Sequence, residues 1–177
     1  ITAISLPFLM RKFYAAKIVG RDVNKRGRPP VAEMGGLAVV MGAIGSLLFA
    51  IALRTFFGSQ FDQFALTDML AAMLTMTIIA LIGIFDDLFD LRKDVKTLLP
   101  MVAALPLVAV SAAGNTAINI PFLGLVDFGI FYILILIPLG VTVASNLTNM
   151  LAGFNGMEAG MGAVIFATTM LLSFANG

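Results

Sequence analysis

Three carboxylates, Asp86, Asp87 and Asp90, lie within one short stretch of the chain, and Lys96 follows soon after them. Residues i and i+4 share a face of a helix, so these carboxylates fit one helical turn. Carboxylates that close repel one another unless a cation lies among them or protons are retained. A divalent ion that bridges them to a diphosphate would relieve the repulsion, and Lys96 could reach a phosphate. The simpler alternative is an ordinary charged turn.

A second polar stretch contains Asn146, Asn149 and Asn155, with Glu158 close behind. It is rich in glycine, at Gly153, Gly156 and Gly160. Asparagine side chains can cap helices, bind the edge of a base or offer a carbonyl oxygen to a hard cation. Glycines allow a backbone to approach a ligand closely. Asparagine and glycine are also common turn formers. By itself, this stretch therefore favours neither a binding site nor an ordinary loop.

A third polar stretch covers residues 24–36 and combines basic residues with one acid, Glu33, just before Gly35 and Gly36. The positive charge here could serve only to orient the protein and to bind anionic lipid. Glu33 differs, because it is a lone carboxylate at the start of an apolar segment. We predict that it faces the same cavity as the other two stretches.

Cysteine and histidine are both absent from the chain. Any metal in these stretches must therefore be bound by oxygen ligands, which favours Mg²⁺, with Mn²⁺ as the alternative. Hydrophobic residues make up 60% of the chain and charged residues only 12%, and the mean hydropathy is +1.03. A soluble domain is about half apolar and about a quarter charged, so the composition indicates a polytopic membrane protein.

The apolar segments predict an all-α fold, a polytopic transmembrane helical bundle that forms a single integral-membrane domain over residues 1–177. We expect about six spans, the first of them partial. They are predicted at 1–10, 35–53, 69–85, 97–113, 128–144 and 161–174. Pro100 and Pro106 are expected kink sites, and residues 115–127 are expected to form a re-entrant or hairpin-like link.

The polar loops at about 11–34, 86–96 and 145–160 fall on one side of the membrane if each span crosses once. Ten of the eleven lysines and arginines then lie on that side, with Arg54 alone opposite. Cytoplasmic loops carry an excess of Lys and Arg. The three loops are therefore predicted to converge on the cytoplasmic face.

Together these loops resemble the polyprenyl-phosphate N-acetylhexosamine-1-phosphate transferase family, which is of the glycosyltransferase 4 type. Residues 86–92 look like its Asp-Asp-x-x-Asp motif, and Lys96 occupies the place of a phosphate-contacting lysine. Residues 149–160 are close to the archaeal and eukaryotic form of the Asn loop, and residues 22–25 with 30–36 match the first cytoplasmic loop. Archaeal and eukaryotic dolichyl-phosphate GlcNAc-1-phosphotransferases are the most similar members.

The resemblance implies transfer of GlcNAc-1-phosphate from UDP-GlcNAc to a polyprenyl or dolichyl phosphate, with release of UMP. It implies that Asp86, Asp87 and Lys96 are catalytic and that Asn149 is a ligand of Mg²⁺. Substrate-binding roles are expected for four further residues, with Asn155 at the uracil: Glu33, Asp90, Asn146 and Asn155. The expected location is the archaeal cell membrane or the endoplasmic reticulum. A homodimer is allowed, and no nucleic-acid partner is expected.

Members of that family have about ten spans, including a later metal-binding aspartate and a histidine-containing loop. We therefore expect this chain to be a fragment that is inactive by itself. Three alternatives stay open: a related enzyme that uses UDP-MurNAc-pentapeptide, one that uses another UDP-sugar, and a non-enzymatic transporter fragment. Soluble isoprenoid synthases also use Asp-Asp-x-x-Asp, but they are far less hydrophobic and usually have a second acidic motif.

Overall fold

The computed structural model describes residues 2–22, 24–58, 65–111, 114, 116–120, 122–151 and 156–176. Eight α-helices and two hairpins follow one another in this part of the chain. The helices are α1 Thr2–Ala15, α2 Gly36–Phe57, α3 Leu66–Phe89, α4 Lys93–Ala103, α5 Leu105–Ser111, α6 Gly129–Phe131, α7 Ile137–Leu151 and α8 Met157–Asn176. A π-helical turn, Tyr132–Leu136, joins α6 to α7. The predicted all-α membrane fold is confirmed.

Five helical segments of the described residues are long and apolar enough to cross a membrane. They are Gly36–Phe57, Leu66–Phe89, Lys93–Ser111, Gly129–Leu151 and Met157–Phe174. Helix α1 has only 14 residues, which is about 21 Å of helix against a hydrocarbon core of about 30 Å. Five of the six predicted spans are thus present at full length, and α1 takes the place of the partial first one.

The span Lys93–Ser111 breaks where proline was expected to disturb it. Helix α4 ends at Ala103 and α5 begins at Leu105, with Pro100 and Pro106 on either side of the break. The Ala104 N–H still donates to the Pro100 carbonyl at 3.1 Å, which keeps the two helices almost continuous. A missing N–H at each proline explains why the helix is interrupted here and not elsewhere in the span.

Two antiparallel hairpins interrupt the helices. Strands β1 Val19–Arg21 and β2 Pro30–Ala32 pair within the basic loop, which the sequence had not indicated. Strands β3 Ala117–Ile120 and β4 Gly124–Asp127 form the second hairpin and confirm the hairpin-like link predicted between the spans at 97–113 and 128–144.

Small residues form the buried centre of the helix packing. Ala38, Ala71, Ala103 and Ala104 are at most 5% exposed, whereas most large apolar side chains point outward. Lipid tails are as apolar as leucine, so helices in a membrane associate through close contact of small residues rather than through a hydrophobic core. Helix α3 packs against α2, α4 and α5, and α4 packs against α7. This arrangement places the C-terminal ends of α3 and α7 next to the N-terminal end of α4.

The predicted loops at 86–96 and 145–160 are wrong over most of their length. Helix α3 continues through Asp86 and Asp87 to Phe89, and α4 already begins at Lys93. Helix α7 continues through Asn146 and Asn149 to Leu151, and α8 begins at Met157. Charged and amide side chains at the end of a span can reach the polar interface while their backbone stays helical. The apolar part of each sequence segment therefore ends several residues before the helix itself does.

Candidate functional site

A polar cavity of about 220 Å³ lies where α3, α4 and α7 meet. Five of the residues proposed from the sequence line it: Asp86, Asp87, Lys96, Asn146 and Asn149. They come from the last turn of α3, the first turn of α4 and the last turns of α7. The structure thus brings together side chains from distant parts of the chain, such as Asp86 and Asn149.

Asp86 and Lys96 form an ion pair across the junction of α3 and α4. The Lys96 Nζ lies 3.1 Å from one carboxylate oxygen of Asp86 and 3.4 Å from the other. Both side chains are only partly exposed, at 22% and 31%, so water screens this pair less than an ordinary surface pair. An ammonium group has three donors, so Lys96 can keep Asp86 and also bind a phosphate oxygen in the cavity.

Asp87 borders two cavities. With Gly83 it lines the polar cavity and also a second, mainly apolar cavity of about 170 Å³ between α2 and α3. Met34, just before α2, lines the apolar cavity as well. The third polar stretch, residues 24–36, therefore lies at the same end of the bundle as the other two, as predicted. Asp87 experiences repulsion from Asp86 and Glu33 and attraction to Lys96.

Asp90 does not share the helical face of Asp86 and Asp87, so that prediction is wrong. Its backbone is left-handed, with φ 48° and ψ 68°, and its N–H closes α3 by bonding the Asp86 carbonyl at 2.9 Å. Aspartate tolerates this conformation at a helix end better than most residues. Its side chain is exposed and does not line the polar cavity. A substrate-binding role for Asp90 stays a prediction.

Asn146 uses its amide to join two helices. Its Nδ2 donates to the Thr97 carbonyl of α4 at 3.0 Å and to the Thr142 carbonyl of its own helix at 2.9 Å. Both donors of the amide group are therefore engaged by the protein, and Oδ1 is the atom left for a substrate. Asn149 lies almost one turn further along α7 and is exposed in the same cavity.

Glu33 packs on the hairpin that precedes α2. Its carboxylate contacts the open face of Gly20, where a Cβ atom would collide with Glu33 Oε1. Its backbone N–H donates to the Ile18 carbonyl at 3.3 Å, which holds the end of β2 against the start of β1. Glu33 does not line the polar cavity, so its substrate-binding role stays a prediction.

The polar cavity also has lining residues that the sequence did not indicate, and two residues of the Asn stretch lie outside it or outside the described residues. Asn155 lies outside the described residues. Glu158 lies in the first turn of α8, a favourable place for a carboxylate next to the positive end of the helix dipole. Ser145 and Pro100 line the cavity but were not proposed as site residues. Ser145 is four residues before Asn149, so the helical repeat of α7 could have identified it.

The cavity offers two carboxylates and an amide oxygen, in Asp86, Asp87 and Asn149. Within the described residues there is no cluster of three or more His, Cys, Asp or Glu that could hold a metal by itself. Protein sites for Mg²⁺ usually provide one or two carboxylates, and substrate phosphates supply further ligands. This oxygen donor set therefore fits a Mg²⁺ ion shared with a phosphate-bearing substrate.

Residues 69–177, which include the whole polar cavity, match the model of the family described as Glycosyl transferase family 4. A protein of Saccharolobus solfataricus, provisionally named as a UDP-N-acetylglucosamine--dolichyl-phosphate N-acetylglucosaminephosphotransferase, is 35% identical over 99% of this chain and 52% of its own length. The similarly named protein of Dictyostelium discoideum is 36% identical over 89% of this chain and 41% of its own length.

A phospho-N-acetylmuramoyl-pentapeptide-transferase of Halalkalibacterium halodurans is 28% identical over 99% of this chain and 55% of its own length. The chain thus spans about half the length of the curated relatives it matches. The Saccharolobus and Dictyostelium proteins, at 35% and 36% identity, are more similar to this chain than the muramoyl transferase at 28%.

Proposed function

The chain belongs to glycosyl transferase family 4, and we propose that the protein transfers GlcNAc-1-phosphate from UDP-GlcNAc to a polyprenyl or dolichyl phosphate. The products are UMP and a lipid-linked GlcNAc diphosphate, which would begin the assembly of a lipid-linked glycan. The observation that carries the proposal is the polar cavity at the ends of α3, α4 and α7, where Asp86, Asp87, Lys96 and Asn149 meet.

In the proposed reaction, an oxygen of the lipid phosphate attacks the β-phosphorus of UDP-GlcNAc and forms a new P–O bond. The bond between the β-phosphorus and the bridging oxygen breaks, and UMP leaves with that oxygen. Phosphoryl transfer depends mainly on positioning and on neutralising negative charge. Lys96 would provide a fixed positive charge for a phosphate, and Asp86 holds the ammonium group in place.

Asn149, together with Asp86 or Asp87, would hold Mg²⁺, with Mn²⁺ as the alternative ion. When bound, such an ion neutralises phosphate charge and helps to align the reacting groups. Asp87 lies between the polar cavity and the apolar cavity lined by α2 and α3. This position would suit a residue at the boundary between a water-soluble nucleotide substrate and a lipid substrate.

The five apolar helices indicate that the protein is an integral membrane protein. We propose that the polar cavity faces the cytoplasm, because ten of the eleven lysines and arginines belong to the same end of the bundle in the predicted topology. The proposed location is the archaeal cell membrane or the membrane of the endoplasmic reticulum. A homodimer remains a hypothesis that native mass spectrometry of the purified protein would decide.

The deciding experiment is an assay of the purified full-length gene product with polyprenyl phosphate and labelled UDP-GlcNAc, with and without Mg²⁺. Formation of labelled lipid and UMP only with the metal is the expected result. UDP-MurNAc-pentapeptide and other UDP-sugars serve as competing donors, and preferential use of one of them would replace UDP-GlcNAc in the proposal. Failure to use any sugar nucleotide would leave the transporter alternative. The 177-residue chain alone is expected to release no UMP.

A further inference from the structure

Asn146 directly links α7 to α4 at the polar cavity, through a bond that joins residues 49 positions apart. We propose that Asn146 is a positioning residue that sets the place of Lys96 relative to Asn149, an inference that rests on the proposed function. Asn146 was expected from the sequence to contact substrate. Its two amide donors instead bond two backbone carbonyls of the protein.

The first step concerns Lys96. Its neighbour Thr97 contributes the carbonyl that accepts the bond from Asn146. Consecutive Cα atoms are about 3.8 Å apart. A Thr97 backbone that is held in place by its carbonyl therefore also restricts where the Lys96 backbone can lie. The ion pair with Asp86 then fixes the other end of the Lys96 side chain. Lys96 is thus held at its backbone from α7 and at its ammonium group from α3.

The second step concerns Asn149. It follows Asn146 by three residues within α7, and residues i and i+3 lie on the same face of a helix. The face of α7 that bonds α4 is therefore the face that presents Asn149 to the cavity. The second bond of Asn146, to the Thr142 carbonyl, holds the amide against its own helix. The bond to the Thr97 carbonyl therefore ties this face of α7 to α4, and the bond to the Thr142 carbonyl orients the amide that makes it.

The third step explains why α4 requires such a bond. Pro100 is buried within α4 and has no N–H, so the Lys96 carbonyl four residues earlier receives no helical hydrogen bond from it. The turn of α4 from Lys96 to Pro100 is consequently held less firmly by its own helix. Thr97 lies in this weakened turn, and the bond from Asn146 attaches it to α7.

The test uses the full-length gene product and the variant Asn146→Asp, which has the same shape but lacks both donors. Its carboxylate would face the Thr97 and Thr142 carbonyls, so α4 should move away from α7. The matched control is Thr148→Val, on the same helix, which removes only the exposed bond from the Thr148 hydroxyl to the Ala144 carbonyl. Asn146→Gln retains an amide and serves as the conservative variant.

The first readout does not depend on activity. Spin labels at Leu98→Cys on α4 and Leu147→Cys on α7 report the separation of the helices. These positions are 59% and 52% exposed, and neither lines the cavity. The 177 residues contain no other cysteine, and cysteines elsewhere in the full-length product are replaced by serine. The expected result is a broader or longer distance distribution for Asn146→Asp, a smaller change for Asn146→Gln and no change for Thr148→Val.

The second readout is the kinetics of GlcNAc-1-phosphate transfer. A misplaced Lys96 should lower kcat by about 10- to 100-fold, because small errors in position are costly in catalysis, while KM for UDP-GlcNAc changes less. A direct substrate contact predicts the reverse: a higher KM and an unchanged distance distribution. That result would overturn the inference, as would an Asn146→Asp protein that matches the wild type in both readouts.

If Asn146→Asp does not fold, the same comparison is made with Asn146→Gln. A lower kcat accompanied by a changed distance distribution then supports the inference, and either change without the other overturns it. A wild-type protein that lacks transferase activity overturns the proposed function, and the catalytic part of the inference with it. If the wild-type protein is active and the Asn146 variant has wild-type kinetics, the inference fails but the proposed function stands.

Discussion

The Lys96 Nζ, in the first turn of α4, lies 3.1 Å from a carboxylate oxygen of Asp86 in the last turn of α3, so an ion pair joins two consecutive spans at the polar cavity. The two residues are separated in the chain by the left-handed Asp90 and the short connection to Lys93. Their pairing places a lysine beside two carboxylates that would otherwise repel each other.

Replacement of Lys96 by Met should lower kcat/KM for UDP-GlcNAc by about 100-fold or more, since one fixed charge or donor at a reacting phosphate is commonly worth that much. The variant also leaves Asp86 without its partner. Lys93→Met is the matched control, because Lys93 is exposed, lies in the same turn and does not line the cavity. Comparable activity of the two variants would argue against a catalytic Lys96.

Asn149→Ala should raise the Mg²⁺ concentration needed for half-maximal activity by about 10- to 100-fold, because it removes an oxygen donor from a set of few ligands. Asn149→Asp keeps an oxygen at that position and should retain more of the metal affinity. The measurement is transferase activity across a Mg²⁺ titration. Met150→Leu, at a 79% exposed position, is the control, and an unchanged Mg²⁺ dependence of Asn149→Ala would remove Asn149 from the metal site.

The Glu33 prediction can be tested from two sides. Glu33→Gln removes its charge, and Gly20→Ala displaces the carboxylate because the added Cβ occupies its place. If Glu33 binds substrate, both variants should raise KM several-fold, and the double variant should be little worse than either, as expected for changes that act through one group. Val19→Ala is the control in the same strand. Additive effects on KM would indicate that the two residues act separately.

Asp127 provides a pH prediction outside the polar cavity. Hydrogen bonds from the Thr116 hydroxyl and from the Gly129 N–H lower the pKa of this carboxyl below its ordinary value. These bonds favour the ionised form, so their contribution to hairpin stability is complete above the ordinary pKa and is lost as the pH falls through the lowered one. Thr116→Val should raise the pKa of Asp127, as measured by carboxyl NMR titration.

Thr116→Ser keeps the hydroxyl and is the control for this experiment. Its Asp127 should titrate close to the wild-type value, and transferase activity should be unchanged in both variants because Asp127 does not line the polar cavity. A Thr116→Val protein whose Asp127 titrates as in the wild type would show that the Gly129 N–H alone lowers the pKa.

The spans and the grouping of polar residues could be predicted from the sequence, because hydropathy alone decides which segments can lie in hydrocarbon. The helix ends could not. Asp86, Asp87, Asn146 and Asn149 read as loop residues, yet each is helical. A polar side chain at the end of a span does not end the helix when it can reach water or a neighbouring helix.

The sequence by itself determined the membrane fold, the absence of imidazole and thiolate metal ligands from these 177 residues, and the identity of five polar residues that line the polar cavity. Only the tertiary structure decided how those residues are used. It paired Lys96 with Asp86, turned Asp90 out of the helix and directed the amide of Asn146 to the backbone of α4. Composition and periodicity act within one segment, whereas these contacts depend on how α3, α4 and α7 pack.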